Sequence, residues 1–424
     1  MHTTSNSLLF TQLTLPNGRV LKNRIIKSAM SDSLADGHGN PTARQIRLYE
    51  RWADGGLAAS IIGEVQGDPW YPEKPGNLVL DQGADTAAFR DLAQRGSENG
   101  AQLWLQLGHA GALSHLPIST PRGPSAIGFP DFHSEAMSLA EIRNIPDSFA
   151  QTARRAAELG FGGVQIHAAH GFLLSQFLSP LFNHRTDAYG GSIHARMRLL
   201  IETVEAVRAA VPTDFVVAVK LNATDQLDGG LTEDDALKVV AGLEGKGVDL
   251  LDISGGTYFP GAPSSSERAS KGPYFLEFAG AARKLTTTPL MITGGFKHYD
   301  EAEAAIIQGD VDAVGLARGF VLDPSLPLSW QEGKGDPAFP RFATLPPGGM
   351  TAWFTMRMTD LGEDQESLIE RDINDAIAEY EARDAERAIQ GLVQKRGEIT
   401  KQHKAADALK ADLGARGQAP VLCG

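Results

Sequence analysis

The chain has 424 residues, 42% of them hydrophobic, and a formal net charge of −13 at pH 7. That apolar fraction is ample for a large core, and the acid excess argues against a nucleic-acid surface, which needs clustered Lys and Arg. A single cysteine, Cys423, excludes an internal disulfide framework and a cysteine-ligated iron–sulfur cluster, and no apolar run is long enough to span a bilayer.

Residues 1–7 lack the basic and then apolar regions of a signal peptide, so a cytoplasmic location is expected. Short apolar runs then alternate with helical patterns from residue 24 to about residue 320. Strands are predicted at Arg24–Ser31, Ala59–Val65, Leu103–His109 and Val164–His167, then at Phe215–Leu221, Leu250–Ser254, Leu290–Thr293 and Ala313–Ala317. Most are β-branched or Leu-rich and apolar on both faces, the pattern of parallel strands buried under helices. Between the fifth and sixth, Thr232 and Asp235 resemble a capping box, Ala236, Val239, Val240 and Leu243 form an apolar stripe, and Gly247 follows the end. Eight strand–helix units in this order predict an α/β fold, a closed (β/α)8 TIM barrel, with a doubly wound sheet as the competitor. The barrel is favoured because polar and Gly residues gather after every strand.

Two segments interrupt the alternation. Ala110 to about Arg143 is a long, Pro- and Ser-containing insertion after the third strand, expected to form a lid or rim. From Glu363 to Leu413 the chain reads as charged, Ala-rich helix, with Leu368, Ile369, Ile373, Ile377 and Tyr380 as a packing stripe. This divides the chain into a barrel over residues 1–350 and a helical extension over 351–424, lying on the barrel or on a second subunit. Assembly into a homo-oligomer is left open.

In a barrel the carboxyl ends of the strands carry the site. Here those ends present Ser31, Glu64, Gln106 with His109, His167 with His170, Lys220 with Asn222, and Ser254-Gly-Gly256. Two ring N–H donors from His167 and His170, aimed at one point, hold a developing oxyanion. Two histidines three apart also suit metal ligands or plain structural roles, but no Cys or acidic partner sits nearby at metal-site spacing, and no metal is expected. Thr293-Gly294-Gly295 and Ala317-Arg318-Gly319 match the loops where barrels bind phosphate through backbone N–H groups, with Arg318 adding a bidentate contact. Lys220 ends an apolar strand, where a buried cation needs an anion or a polarisable acceptor. A flavin's N1–C2=O edge is one such acceptor, and an ion pair with an acid such as Glu64 is the alternative. Gln106, both donor and acceptor, suits the mixed edge of a pyrimidine-like ring or a satisfied core amide.

Together these residues resemble the Old Yellow Enzyme family, the FMN-dependent NAD(P)H:flavin oxidoreductases. The resemblance runs from about Leu8 to about Trp353. It rests on Lys22-Asn-Arg-Ile25, Leu105-Gln-Leu-Gly-His-Ala-Gly111, the two-histidine segment, Arg185-Thr-Asp-Ala-Tyr-Gly-Gly-Ser192, Val219-Lys-Leu-Asn222 and the phosphate loops. It implies FMN across the barrel mouth, contacted by Ala29, Met30, Ser31, Glu64, Gln106 and Lys220, with Gly294, Gly295, Ala317 and Arg318 at the phosphate. It also implies that NADPH or NADH reduces FMN, and that His167 and His170 bind the oxygen of a small electrophilic substrate that then takes hydride in the same pocket.

Two positions depart from the family. Many members carry a tyrosine two residues after the second of the oxyanion-binding pair, where it protonates the α-carbon, and here that position is Phe172. Tyr258 is the candidate substitute. Ser31 stands where members usually have Thr or Cys, and Ala29 replaces a common proline. Larger relatives append an iron–sulfur cluster and a dinucleotide-binding domain, which one cysteine and a helical tail do not provide. The leading expectation is an ene-reductase acting on α,β-unsaturated carbonyl or nitro compounds. A reductase of quinones or nitroesters, which needs no carbon protonation, is the alternative. More remote are a non-redox phosphate-binding lyase or isomerase with Lys220 as Schiff-base nucleophile, and a flavin-binding protein that acts through partners.

Overall fold

Eight runs of Val, Ile, Leu and Ala pair in parallel and close on themselves, as their apolar character on both faces requires. The computed structural model describes residues 7–391, except 117, 130–131, 260–271 and 369. The strands are β1 (Ile25–Met30), β2 (Ala59–Gln66), β3 (Gln102–Leu107), β4 (Gly163–Ala168), β5 (Val216–Asn222), β6 (Leu250–Ser254), β7 (Leu290–Thr293) and β8 (Ala313–Leu316). Each bonds to the next in chain order, and β8 returns to β1, so the sheet is a closed (β/α)8 barrel. β3 and β8 stop short of His109 and Ala317, which leaves those residues in loops at the carboxyl end.

The outer ring is α1 (Ala43–Asp54), α2 (Thr86–Arg95), α3 (Leu139–Glu158), α4 (Arg198–Ala210), α5 (Glu233–Leu243), α6 (Leu276–Ala282), α7 (Tyr299–Gln308) and α8 (Gly349–Gly362). At α5, Thr232 Oγ1 accepts the Asp235 N–H at 3.3 Å and the predicted stripe is buried, while the Asp235 carboxylate turns to Arg196 and Lys238. α8 packs on α1, so the ring of helices runs past residue 350. At the amino-terminal end of the barrel, a hairpin of Leu13–Thr14 and Val20–Leu21 packs Leu13, Leu15 and Leu21 against Ile26, Ile61 and Met291.

The insertion after β3 holds a small sheet of Arg122–Gly123, Ile127–Phe129 and Phe132–Ala136. It ends at Ser138 rather than near Arg143. Ser138 Oγ accepts the Glu141 N–H while the Glu141 carboxylate accepts the Ser138 N–H, a capping box that starts α3.

The carboxyl-terminal helix begins later than its composition predicts. Residues 363–368 and 370–372 are non-helical, and helix runs from 373 through 391. Ion pairs of Arg47 with Asp364, Arg51 with Glu366 and Arg371 with Asp360 hold this stretch against α1 and α8. Leu368 is 80% exposed and does not join a packing stripe, whereas Ile373 and Ala376 are buried. Ile369 and everything after 391, Cys423 included, lie outside the described residues. The helix over 373–391 lies as a strap on the loops that follow β1 and β2. Arg387 donates to the Ser33 carbonyl, and Ser33 Oγ donates to Asp384 Oδ1 at 3.2 Å.

Candidate active site

His167 is a residue of β4 and His170 lies in the turn just beyond it. His170 has φ +61° and Gly171 φ +81°, two consecutive left-handed residues that fold the chain back. A Cβ at Gly171 would lie 2.0 Å from Thr257 Oγ1, so only glycine fits beside the loop after β6. The turn is fastened further by the His170 N–H to Asn222 Oδ1 at 3.1 Å and the Tyr258 N–H to the His170 carbonyl at 3.0 Å. The two imidazoles end 5.1 Å apart, edge to face. His167 Nδ1 accepts the Ala169 N–H at 3.2 Å, which puts the ring proton on Nε2, and Nε2 lies 3.1 Å from Glu64 Oε1. His170 Nε2 is 2.9 Å from Ser254 Oγ. Burial pulls His167 down to about 3 and His170 well below the usual imidazole value, so both rings are neutral at physiological pH. Neutral N–H donors suit an oxygen that gains charge during reaction.

Beneath the pair lies a polar layer inside the barrel. Register places Gln165 opposite Gln106 and Asp252 opposite Lys220. Gln106 donates to Gln165 Oε1 at 2.8 Å, Gln165 donates to Asp252 Oδ2 at 3.1 Å, and Lys220 Nζ donates to the same oxygen at 2.9 Å. Thr293 Oγ1 donates to Asp252 Oδ1 at 2.7 Å and lies 2.8 Å from Ser28 Oγ. Lys220 is therefore ion-paired, but with Asp252 rather than with Glu64. Gln165, Asp252 and Ser28 escape sequence reasoning, and Thr293 figures there only as the start of a phosphate loop. The one available signal was a polar residue at an inward position in an otherwise apolar strand.

Around the rim, Ala29 and Met30 end β1 and Ser31 follows it, all half-buried, and Ser31 Oγ accepts from Asn77 Nδ2 at 3.1 Å. Gly294 (φ +124°) and Gly295 (φ +93°) follow β7, and Ala317 and Arg318 follow β8, all partly exposed on one side of the mouth. Burial holds Arg318 below the usual guanidinium value, a cost that an adjacent anion reverses. Phe172 is buried, its ring 4.9 Å from His167. Tyr258 is 61% exposed with its ring 5.6 Å from Phe172. Desolvation in the concave mouth, then Glu73 and Glu64, push its hydroxyl above the usual phenol range, and its exposure to water weakens that effect. A cavity of about 620 Å3 lies under the strap, lined by Lys74, His115, Gly348, Tyr380 and Asp384 among others. The histidine pair is not in its lining. Burial raises the Glu73 carboxyl to about 8, with Glu64 and Asp384 adding to the shift and Lys74 opposing it.

Residues 8–336 match the model of the NADH:flavin oxidoreductase / NADH oxidase family. The chain belongs to this family. It is 36% identical over 355 residues to an NADH-dependent flavin oxidoreductase (iliE) of Neonectria sp. (strain DH2), covering 74% of this chain and 46% of that one. To the protein of the same name in Hypocrea jecorina (strain QM6a) it is 35% identical, covering 74% of this chain and 86% of that one. The chain thus spans about half the length of the first relative and most of the second. Among solved structures, the Old Yellow Enzyme homologue of Zymomonas mobilis superposes with a TM-score of 0.68 at 24% identity, over 81% of this chain and 98% of that one, a likeness of fold. Among the described residues no group of three or more His, Cys, Asp or Glu is placed to hold a metal, and no helix is long and apolar enough to cross a membrane.

The cofactor of this flavin oxidoreductase family is FMN, and the residues present fit it. One side of the mouth carries left-handed glycines beside a partly buried Arg318, suited to a phosphate. Within the barrel and at the end of β1, Gln106, Lys220 and Ser31 supply a set of donors and acceptors suited to the polar edge of an isoalloxazine.

Proposed function

We propose that this protein is an FMN-dependent NAD(P)H oxidoreductase that reduces activated alkenes, namely α,β-unsaturated carbonyl or nitro compounds. The observation that carries the reading is the neutral pair His167 and His170, 5.1 Å apart at the carboxyl end of β4, with His167 in register with Lys220 and two residues beyond the Gln165–Gln106 pair. Bound FMN supplies two-electron transfer between a nicotinamide and the acceptor. The protein's part is to seat both in one pocket in turn and to polarise the acceptor. Hydrogen bonds from the two imidazoles to the carbonyl or nitro oxygen draw electron density off the alkene and make its β-carbon accept hydride. Ala29, Met30, Ser31, Glu64, Gln106 and Lys220 line the flavin side. Gly294, Gly295, Ala317 and Arg318 hold the phosphate, and Tyr258 closes the outer side. The barrel through α8 forms the catalytic unit, and the helix over 373–391 straps the loops after β1 and β2.

The test is NAD(P)H-driven reduction of 2-cyclohexenone, maleimide and a nitroalkene by the FMN-loaded chain and by His167→Ala and His170→Ala. Each loss is expected to cost about 2.7–4 kcal/mol of transition-state stabilisation, roughly 10²–10³ in kcat. Undiminished turnover in both variants overturns the reading.

Phe172 favours a second reading within the same class. A buried phenyl ring beside the histidines donates no proton, which suits quinones or nitroesters as acceptors. Comparing quinone with enone turnover separates the two. The Schiff-base lyase reading is set aside by family membership and by the ion pair that engages Lys220.

A further inference from the structure

Near its carboxyl end β2 loses register with its neighbours. Its pairing with β3 shifts between Ile62 and Val65, a bulge centred on Gly63 and Glu64. Bulges re-aim side chains, and this one sets Glu64 at φ +57°, a left-handed conformation that is strained for a residue with a Cβ. The distortion is locked from below, because Gly63 packs directly on the backbone of Met30 and Ser31.

The bulge delivers the Glu64 carboxyl to the histidine pair. The residue is only 5% exposed. Oε1 lies 3.1 Å from His167 Nε2, and Oε2 has no hydrogen-bond partner among the described residues. The charged or titratable groups around it are His167 from β4, Lys220 from β5, Glu73 beyond β2 and Tyr258 beyond β6. Lys220 is already committed to Asp252, and burial raises the Glu64 carboxyl to about 8. At neutral pH it is an acid with a proton to give, and a proton donor works best when its pKa lies near the working pH. Tyr258 is a weaker donor on the same criterion, since its hydroxyl is pushed above its usual value.

We propose that Glu64 is the general acid that protonates the substrate α-carbon, in the role left open by Phe172. The assignment rests on the ene-reductase reading. Bound FMN, once reduced by NAD(P)H, would supply the hydride for the new C–H bond at the β-carbon. The alkene electron pair moves toward the oxygen held by His167 and His170. A new C–H bond then forms at the α-carbon as the Glu64 O–H bond breaks, its electron pair remains on the carboxylate, and a proton from water restores the acid. An oxygen within hydrogen-bond distance of His167 Nε2 lies beside the carboxyl group 3.1 Å from that same atom, so an α-carbon one bond beyond the carbonyl carbon is in reach.

The experiment uses the full FMN-loaded chain and three readouts. First, Glu64→Gln lowers the ratio of enone to quinone turnover 10²–10⁴-fold, the usual contribution of a general acid, estimated roughly. Second, adding Phe172→Tyr to that variant recovers at least about tenfold of the enone rate. Third, infrared difference spectra of the unreacted protein show a protonated-carboxyl stretch that disappears as pH rises through about 8 and is missing in Glu64→Gln. If Glu64→Gln does not fold, Glu64→Asp, which keeps the acid but shortens its reach, takes its place in the first two readouts. An unchanged enone-to-quinone ratio, or no titrating carboxyl stretch assignable to Glu64, overturns the proposal and leaves the ene-reductase reading intact. A wild-type protein that reduces quinones but no activated alkene overturns both.

Discussion

Lys220 and Asp252 meet at 2.9 Å with their side chains 1% and 0% exposed, and the same carboxylate also accepts from Gln165 and Thr293. One carboxylate thus compensates the Lys220 ammonium and ties together β4, β5, β6 and β7. Removing one partner of a buried pair leaves a charge with no compensation. Asp252→Asn is expected to destabilise the fold by about 3–5 kcal/mol, read as a lower urea midpoint with an unchanged slope. A midpoint within experimental error of the wild type refutes this account of the layer.

Gly63 sits where no side chain fits. A Cβ there would lie 2.3 Å from the Met30 carbonyl carbon and 2.7 Å from the Ser31 nitrogen. Gly63→Ala is expected to push the end of β1 away from the mouth and to weaken FMN binding at least about tenfold, or ~1.4 kcal/mol. Quenching of flavin fluorescence on titration into the apoprotein measures this. Unaltered affinity means that the end of β1 does not contact the cofactor.

Lys27 is wholly buried between β1 and α1. Its Nζ donates to the Ile61 carbonyl at 3.2 Å and lies 4.4 Å from the Trp52 ring centroid. Burial lowers its pKa from 10.5 to about 7, with Asp32 opposing and Lys220 adding to the shift. The unfolded chain therefore binds the extra proton across this interval, and stability on this account rises with pH from about 7 to 10.5. Lys27→Met removes the linkage. Its stability advantage over the wild type is expected to be largest near pH 7 and to shrink toward pH 10, as chemical denaturation at several pH values would show. A constant difference between the two proteins rules this out.

Arg387 fastens the strap through the Ser33 carbonyl and packs against Gly76. Arg387→Ala is expected to expose the helix over 373–391 to limited proteolysis while the barrel's thermal transition moves by no more than a few degrees. Equal protease resistance in variant and wild type would place the anchoring elsewhere.

The barrel is legible because each strand announces itself. Leu250–Ser254 and Leu290–Thr293 match their predicted bounds, and the other six lie within two residues of them. The residues at the strand ends are legible for the same reason. Once the strands are counted, His167, Lys220 and Gly294 fall at one end together. What stays hidden depends on register across the barrel. Asp252 is a lone acid between Leu251 and Ile253, and nothing in its own segment points to Lys220, 32 positions earlier. Glu64 is visible as a strand-end acid, but the bulge that turns it toward His167 arises from mismatched pairing of β2 with β3, which no local pattern encodes. The start of the strap is misplaced because helix-forming composition continues through residues that ion pairs with Arg47 and Arg51 hold in a turn.

The position of the strap has a consequence for assembly. Every barrel strand is made before residue 317, and the helix that lies on the loops after β1 and β2 follows more than fifty residues later. During synthesis from the amino terminus, the barrel closes while its mouth is still uncovered. A flavin mononucleotide arriving from solvent meets an open cup, and the helix that later seats on Ser33 acts as a latch on a holoprotein already formed.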